Sequence, residues 1–209
     1  MSRIGIVLLA AGRGTRFGES PKILATLDGV PLVRRVAEAA LAARPRPVVA
    51  VLGANDAAVR QALAGLDLIV VHNDVYADGL STSLKAGIAA LPECDAAIVM
   101  LGDMPLVDAA LIDRIADVFE QAATKPAAIV PIHGGRRGNP VLLNLRLLGA
   151  EIASLSGDRG AGPLLAGRSD VIEIDGDPST ALDIDTRDAL ARAEDHFARL
   201  ASLRQRSEQ

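Results

Sequence analysis

Residues 4–22 read IGIVLLAAGRGTRFGESPK, and this stretch decides the fold class. Its first part, 4–10, has the length and apolar composition of a strand that is buried on both faces of a sheet. The loop that follows carries three glycines and three basic side chains, namely Gly12, Gly14, Gly18, Arg13, Arg16 and Lys22. Glycines let a main chain approach a ligand with its N–H groups exposed, and the basic groups attract an anion. A buried strand that ends in such a loop predicts an anion-binding site at the carboxyl edge of a parallel sheet.

This loop matches neither of the two common phosphate-binding fingerprints. It lacks the GK[ST] ending of a P-loop, and its glycines do not follow the GxGxxG order. An exposed turn with solvated arginines is the alternative interpretation. The concentration of three basic side chains beside the glycines favours the anion-binding interpretation.

The rest of the chain alternates between strand-like and helix-like segments. Apolar runs of strand length lie at 47–53, 68–71, 96–102, 127–131, 140–143 and 170–174. Helical periodicity is found at 32–43, 56–64, 81–91, 108–123, 145–155 and 186–203. This alternation predicts an α/β protein, a Rossmann-like three-layer αβα sandwich around a mostly parallel sheet.

Two local features modify that plan. A glycine-rich turn at 133–138 joins two short strands and predicts a small hairpin excursion from the sheet. The segment 181–185, ALDID, predicts a final short strand before the last helix. We expect a single domain over 1–203 with a frayed tail at 204–209.

Composition narrows the partners and the cellular location. The chain of 209 residues is 50% hydrophobic and only 2% aromatic, which predicts a core of aliphatic side chains. A net charge of −4 and scattered basic residues exclude a nucleic-acid polymer as partner. No apolar run reaches the roughly 18 residues that a membrane span needs, and the lone Cys94 suits a reducing compartment. We therefore expect a cytoplasmic protein without a membrane partner.

Acidic residues follow two of the strand-like segments. Asp103 lies in LGDMP, directly after the run at 96–102, and Asp183 and Asp185 lie two positions apart in ALDIDT, so both are expected to point to one face of the predicted strand. Carboxylates at the carboxyl edge of a sheet can hold Mg²⁺ beside substrate phosphates; the alternative for Asp103 is a helix cap near Val107. The basic, glycine-rich loop after residue 10 and these carboxylates together predict a Mg²⁺-dependent enzyme that acts on nucleotide phosphates.

Six motifs support a family resemblance, and they occur in order along almost the whole chain. They are LLAAGRGTRFGESPK (8–22), GLSTSLKAGI (79–88), MLGDMPL (100–106), RRGNPVLL (136–143), GDRGAG (157–162) and DIDTRDAL (183–190). In this order they resemble the MobA/MocA-like nucleotidyltransferases, and most of all the molybdenum cofactor cytidylyltransferases. The resemblance implies a nucleotide-diphospho-sugar transferase-like fold.

The resemblance also implies roles for individual residues. The implied nucleotide-binding residues are Leu9, Ala10, Ala11, Gly12, Arg13, Gly14, Lys22, Asn73, Gly79, Ser83 and Asp103. The implied catalytic residues are Arg16, Lys22 and Asp103. The implied metal ligands are Asp103 with Asp185 or Asp183, and the implied acceptor-binding residues are His133, Arg136, Gly138 and Asn139.

The activity that the resemblance implies is transfer of CMP from CTP to the phosphate of a molybdopterin-type cofactor, with Mg²⁺ and release of pyrophosphate. The sequence LAAG at 9–12 resembles the cytidylyl branch, since the guanylyl branch typically has LAGG. Asn139 and Gly162 depart from that branch, which often has His and Arg there. A molybdoenzyme or its chaperone is the implied protein partner.

Three alternatives stay open. A guanylyltransferase would use GTP in place of CTP. Another nucleotidyltransferase of the same fold would act on a sugar phosphate or another small phosphorylated acceptor. A non-catalytic module would bind the cofactor or nucleotide without turnover.

Overall fold

A computed structural model describes residues 2–14, 17, 21–195 and 197 of the chain. The strands are β1 (Ile4–Ala10), β2 (Thr26–Leu27), β3 (Val30–Pro31), β4 (Val48–Leu52), β5 (Ile69–His72), β6 (Ala96–Leu101), β7 (Ala128–His133), β8 (Arg136–Arg137), β9 (Val141–Asn144) and β10 (Val171–Asp175). The helices are α1 (Leu32–Ala42), α2 (Asp56–Ala62), α3 (Leu80–Ala89), α4 (Ala109–Gln121) and α5 (Leu145–Ser154). Among these residues, no helix combines the length and the apolar character needed to cross a membrane.

One sheet organises the described part of the chain. Its strand order is β10-β7-β9-β6-β1-β4-β5, and β8 pairs with residues 132–133 at the carboxyl end of β7. The pairs β6–β1, β1–β4, β4–β5 and β7–β10 are parallel, whereas β9 is antiparallel to both of its neighbours. The prediction of a mostly parallel α/β sheet is confirmed. The two strands predicted on either side of the turn at 133–138 are β7 and β9, but they pair antiparallel within the main sheet, and the predicted turn itself contains β8.

Strand β1 occupies the centre of the sheet because both of its faces are apolar. Its side chains alternate between two core layers, as the period of two in a strand requires. Ile6 and Leu8 pack in the layer that contains the buried side chains of α1 and α4. Val7 and Leu9 pack in the opposite layer, with the buried side chains of α3 and α5. Helices therefore cover both faces, and the carboxyl end of β1 opens at an edge of the sheet.

The predicted strand over 181–185 is wrong. Pro178–Ala181 form a 3₁₀ turn, and 182–185 continue without pairing to a strand among the described residues. Apolar and acidic residues do alternate there, since Ile184 is buried and Asp183 is exposed. The Ile184 N–H, however, donates to the carbonyl of Asp103 at 3.0 Å, so this segment attaches to the loop after β6.

The predicted last helix begins where expected. Residues 187–195 are helical, and Thr186 Oγ1 accepts a hydrogen bond from the Ala189 N–H at 3.1 Å as an N-terminal cap. The predicted continuation of this helix to 203 and the predicted frayed tail at 204–209 lie outside the described residues.

Candidate active site

A cavity of about 620 Å³ opens at the carboxyl ends of β1 and β6. Its size lies within the range of small-molecule sites, about 300–1,000 Å³. Ten of the predicted site residues line it: Leu9, Ala10, Ala11, Gly12, Arg13, Gly14, Lys22, Gly79, Ser83 and Asp103. Arg16, which was predicted to act on the phosphates, lies outside the described residues.

Lys22 joins two carboxylates at the floor of this cavity. Its Nζ donates to Asp103 Oδ2 at 2.5 Å and to Asp185 Oδ1 at 2.6 Å. The lysine side chain is only 13% exposed and that of Asp103 only 16%. Burial lowers the pKa of Lys22, but the charges and hydrogen bonds of Asp103 and Asp185 outweigh it and raise that pKa above its ordinary value. The ammonium group is therefore firmly charged in the site.

The second oxygen of Asp103 indicates what this floor can bind. Asp103 Oδ1 is buried, and no donor among the described residues lies within hydrogen-bond distance of it. A buried carboxylate oxygen without a partner is costly, and a hard divalent cation would satisfy it. The described residues contain no group of three or more His, Cys, Asp or Glu side chains that could hold a metal by themselves. Asp103 and Asp185 could supply two carboxylate ligands to a Mg²⁺ or Mn²⁺ ion, and the other ligands would then come from substrate and water.

The loop after β6 holds Asp103 in place through its backbone. The Gly102 N–H donates to the carbonyl of Leu9 at 3.0 Å, which ties this loop to the end of β1. The helix-cap alternative for Asp103 is wrong, because Asp108 caps α4 by accepting from the Leu111 N–H at 3.0 Å. Asp103 is thus left to face the cavity.

The two acidic residues of ALDIDT are separated by the structure. Asp185 is half-buried and accepts a hydrogen bond from Lys22, whereas Asp183 is exposed; neither of the two carboxylates lines the cavity itself. The prediction that both share one face of a strand is wrong, since no strand forms there. Asp185 is therefore the better of the two candidate metal ligands.

Gly79 makes close contact between α3 and the loop at 157–160. Its φ is +115°, and a Cβ at this position would lie 2.2 Å from the Gly157 carbonyl carbon. The Ser81 N–H donates to the same carbonyl group at 3.1 Å. Only glycine allows this approach, and the contact brings Asp158 into the cavity wall.

Asn73 supports the site without lining it. It is 5% exposed, and its Nδ2 donates to Thr82 Oγ1 at 2.8 Å and to Ser83 Oγ at 3.0 Å. Its amide therefore fixes the first turn of α3, which carries Ser83 into the wall. A direct contact between Asn73 and the nucleotide stays a prediction.

A second, smaller cavity of about 240 Å³ adjoins the first, and Leu9, Leu80 and Leu101 belong to the walls of both. Two of the predicted acceptor residues, Gly138 and Asn139, line it. The other two, His133 and Arg136, face each other across the β7–β8 hairpin and lie outside this wall. Gly162, the other position that departs from the cytidylyl pattern, is also in the wall.

Several cavity residues were missed by the sequence reasoning. They are Ile23, Tyr76, Ala77, Leu80, Gly102 and Asp158 in the first cavity and Arg137 in the second. Asp158 and Arg137 belong to recognised motifs, so those motifs were the available signal. Tyr76 had none; the Arg13 guanidinium lies 5.6 Å from its ring centroid, a contact that only the fold creates.

The sheet, the helices on both of its faces and the cavity at its carboxyl edge together have the architecture of an α/β nucleotidyltransferase. A family model described as the MobA-like NTP transferase domain matches residues 6–172, and the chain belongs to this family.

Curated relatives carry different names. Nicotine blue oxidoreductase from Paenarthrobacter nicotinovorans is 35% identical over 193 residues, which cover 89% of this chain and 94% of the relative. Molybdenum cofactor cytidylyltransferase from Escherichia coli K12 is 27% identical over 202 residues, which cover 96% of this chain and all of the relative. The bifunctional protein GlmU of Chromobacterium violaceum is 34% identical over 62% of this chain, which spans 28% of that relative.

Solved structures share the whole architecture. A nucleotidyl transferase from Methanothermobacter thermautotroptrophicus has a TM-score of 0.82 and 27% identity, with coverage of 95% of this chain and 99% of that chain. Rv0371c from Mycobacterium tuberculosis H37Rv in complex with manganese has a TM-score of 0.73 and 31% identity, with coverage of 91% and 97%. A divalent metal is thus present in a complex of one structural relative.

Proposed function

We propose that this nucleotidyltransferase transfers CMP from CTP to the phosphate of a molybdopterin-type cofactor, with Mg²⁺ as the metal. The observation that carries the proposal is Lys22, which joins Asp103 and Asp185 directly beside the glycine-rich loop. A cation and a carboxylate pair next to a phosphate-sized backbone cradle are what nucleotidyl transfer requires. The full-length relative named molybdenum cofactor cytidylyltransferase supports the choice of acceptor.

The reaction is an in-line displacement that needs no protein nucleophile. A phosphate oxygen of the acceptor forms a bond to the α-phosphorus of CTP, the bond from that phosphorus to the bridging oxygen breaks, and pyrophosphate leaves. The loop at 10–14 positions the triphosphate with backbone N–H groups, and Lys22 and Arg13 offset its negative charge. Asp103 and Asp185 would hold the metal, which when bound polarises the phosphate oxygens. Arg16 is proposed to act on the same phosphates.

The choice of CTP depends on Ala11. Its side chain is 4% exposed and lies in the cavity wall at the end of β1. A methyl group at this position narrows the space that a glycine would leave, which favours the smaller pyrimidine base. Gly79 and Ser83 line the same cavity and are proposed to contact the base and ribose.

A screen of the four NTPs tests the proposal. Pyrophosphate release is followed with Mg²⁺, each NTP and a molybdopterin-type cofactor, and we expect CTP to be preferred. A preference for GTP would contradict the cytidylyl assignment. Turnover only with a sugar phosphate would contradict the acceptor, and nucleotide binding without any turnover would support the non-catalytic alternative.

Asp103→Asn tests the catalytic role in the same assay. The substitution keeps the shape and removes the charge, so pyrophosphate release should fall by about a hundred-fold or more. The control is Asp74→Asn, since the side chain of Asp74 is 93% exposed and outside the cavity wall. Equal rates for the two variants would remove Asp103 from the mechanism.

A second candidate function is that of an oxidoreductase. It is favoured by one observation, the 35% identity to nicotine blue oxidoreductase over 89% of this chain. The phosphate cradle would then hold a dinucleotide cofactor. Oxidation of NADH or NADPH with nicotine blue, unchanged in Asp103→Asn, would support this function over nucleotidyl transfer.

A further inference from the structure

The segment 176–185, which we call the strap, runs from the end of β10 to the carboxylate floor of the site. Its 3₁₀ turn Pro178–Ala181 lies against the loop at 138–139. Further along, the Ile184 N–H donates to the Asp103 carbonyl at 3.0 Å. One short piece of backbone therefore contacts both the loop at 138–139 and the loop that carries Asp103.

Thr180 is the residue of the strap that touches the loop at 138–139. It is fully buried, and its carbonyl oxygen accepts a hydrogen bond from the Asn139 N–H at 2.9 Å. A Cβ at Gly138 would lie 2.2 Å from the same oxygen and 2.8 Å from its carbonyl carbon. Outside the two chain neighbours of Gly138, the three heavy atoms nearest to that Cβ all belong to Thr180. Glycine at 138 therefore permits a contact between two backbones that any side chain would disturb.

Hydrogen bonds within the turn hold the backbone of Thr180 in place. Its N–H and its Oγ1 both donate to the Asp177 carbonyl, at 3.1 and 2.7 Å. Asp177 Oδ1 in turn accepts from the Ser179 N–H at 2.7 Å. Loss of a buried hydrogen bond is costly, because water does not replace the missing partner. The Thr180 hydroxyl therefore helps to fix the peptide group that meets Asn139.

Only three residues, 181–183, separate the two anchored positions of the strap. Both positions are hydrogen-bonded to other parts of the site, Thr180 through its carbonyl and Ile184 through its N–H. Leu182 between them is extended, with φ −98° and ψ 93°. An extended link so short has little slack. A displacement of Thr180 must therefore pass to Ile184 and to its neighbour Asp185.

We infer that Thr180 is a positioning residue, which sets the spacing between the loop at 138–139 and the carboxylate of Asp185. The inference rests on the proposed function, in which this loop faces the acceptor and Asp185 helps to hold the metal. In-line displacement requires the acceptor phosphate and the α-phosphorus to be aligned, and a misplacement of about 1 Å can cost about a hundred-fold in rate. The strap supplies this alignment, although Thr180 itself lines neither cavity.

Gly138→Ala tests the strap without altering any of its own residues. The added methyl group presses on Thr180, so the Ile184 N–H of the metal-free chain should exchange with deuterium about ten-fold faster in NMR spectra. Mn²⁺ affinity, measured by electron paramagnetic resonance, should fall by about ten-fold. The Gly102 N–H, which donates to the Leu9 carbonyl, is the internal reference and should exchange at its wild-type rate.

Gly149→Ala is the matched control. Gly149 is exposed in α5, and a Cβ there would have no heavy atom among those described within 4 Å. Ile184 exchange and Mn²⁺ affinity should both stay at their wild-type values. If they are also unchanged in Gly138→Ala, the inference is overturned. Equal acceleration of the Gly102 and Ile184 N–H groups would overturn it too, since that result indicates general destabilisation.

Two substitutions at Thr180 separate positioning from folding. Thr180→Val keeps the shape and removes the hydroxyl that donates to the Asp177 carbonyl, whereas Thr180→Ser retains a hydroxyl. In the pyrophosphate assay, Thr180→Val should lower kcat by about ten-fold and leave KM for CTP within about two-fold. Thr180→Ser should recover most of kcat. A rise in KM at unchanged kcat, or equal losses in the two variants, would overturn the inference.

Failure of the proposed function would give a different result. If the wild-type chain releases no pyrophosphate with any NTP, nucleotidyl transfer is refuted. Ile184 exchange in Gly138→Ala needs neither metal nor turnover, so it still decides whether the strap transmits a displacement from the loop at 138–139 to the segment that carries Asp185.

Discussion

The contact that Lys22 makes and the role proposed for it in the reaction exclude each other. Its ammonium group bridges Asp103 and Asp185, and the same group is proposed to offset the charge of the triphosphate. A divalent cation that binds both carboxylates must displace the ammonium from them, because like charges repel at contact distance. In the proposed mechanism, Lys22 would therefore leave the carboxylates and contact the phosphates when nucleotide and metal bind.

Removal of this ammonium should have opposite effects on metal binding and on turnover. In Lys22→Met, Mn²⁺ affinity without nucleotide should rise by about ten-fold, since a competing charge is lost. Pyrophosphate release should fall by about a hundred-fold. Titration of free Mn²⁺ by electron paramagnetic resonance measures the first effect. Lys85→Met is the control, because the Lys85 ammonium donates to the Leu155 carbonyl and lies outside the cavity wall; weaker Mn²⁺ binding in Lys22→Met would contradict the exchange.

Local sequence patterns predicted the strands and helices well, but they did not predict which strands pair with each other. The apolar runs at 47–53 and 96–102 became the parallel strands β4 and β6 because burial on both faces leaves a clear signature. The antiparallel insertion of β9 between β6 and β7 has no such signature, since pairing depends on contacts far along the chain. The segment 181–185 failed for the same reason: it alternates like a strand, but its Ile184 N–H bonds to Asp103 instead of to a strand.

The close contact between α3 and the loop at 157–160 should make a substitution at Gly79 more costly than backbone strain alone would. Gly79 and Gly65 both have positive φ, +115° and +81°. A Cβ at Gly79 would collide with Gly157, whereas a Cβ at Gly65 would have no heavy atom among those described within 4 Å. Gly65→Ala should cost about 1–2 kcal/mol of unfolding free energy, from strain alone. Gly79→Ala should cost clearly more in urea denaturation and should also weaken CTP binding; equal costs would contradict the steric argument.

Asp95 joins three elements at the opposite edge of the sheet. Its Oδ2 accepts from the Arg3 N–H at 2.9 Å before β1, and its Oδ1 accepts from Arg146 Nε at 2.7 Å in α5. The Leu145 N–H donates to its carbonyl at 2.9 Å. The backbone hydrogen bond from Arg3 and, less strongly, the interactions with Arg146 lower the pKa of Asp95, although burial opposes this.

This lowered pKa gives a pH dependence of stability. A carboxyl group whose pKa is lower in the folded state stabilises the fold above its unfolded pKa of about 3.9 and loses that effect as the pH falls through the folded pKa. Asp95→Asn should therefore reduce the unfolding free energy by about 1 kcal/mol at neutral pH. The difference from the wild-type protein should shrink below about pH 3.9. Urea denaturation across pH measures it, and a difference that grows on acidification would contradict the assignment.

The candidate site is assembled from distant parts of the chain. Lys22 and Asp103 are 81 positions apart, and Lys22 and Asp185 are 163 apart. The family resemblance implied Asp103 with Asp185 or Asp183 as metal ligands, and the strand-like run before Asp103 placed that carboxylate at the edge of the sheet. The sequence could not predict that Lys22 lies between Asp103 and Asp185 or that Asp183 points away, because both follow from how 182–185 packs on the loop after β6.

A small third core cluster holds that C-terminal segment against the site. Ile184 and Ala193 are fully buried there, together with Phe17, Leu27 and Leu32 from the N-terminal part of the chain. The Arg35 guanidinium also lies 4.4 Å from the Phe197 ring centroid. The carboxylate of Asp185 is therefore positioned by the packing of its neighbour Ile184, since Asp185 itself is only half-buried.

This dependence predicts that a core substitution will weaken metal binding without touching a carboxylate. Ile184→Ala should reduce the unfolding free energy by about 2–5 kcal/mol and should also weaken Mn²⁺ binding, because the backbone that carries Asp185 loses its anchor. Ile152→Ala is the matched control: Ile152 is 2% exposed in α5, in a different core layer, and the same atoms are deleted. Its unfolding free energy should fall by a similar amount while Mn²⁺ affinity stays at the wild-type value. If both variants bind Mn²⁺ equally well, the C-terminal segment does not position the metal-binding carboxylate, and Asp103 alone would have to account for the affinity.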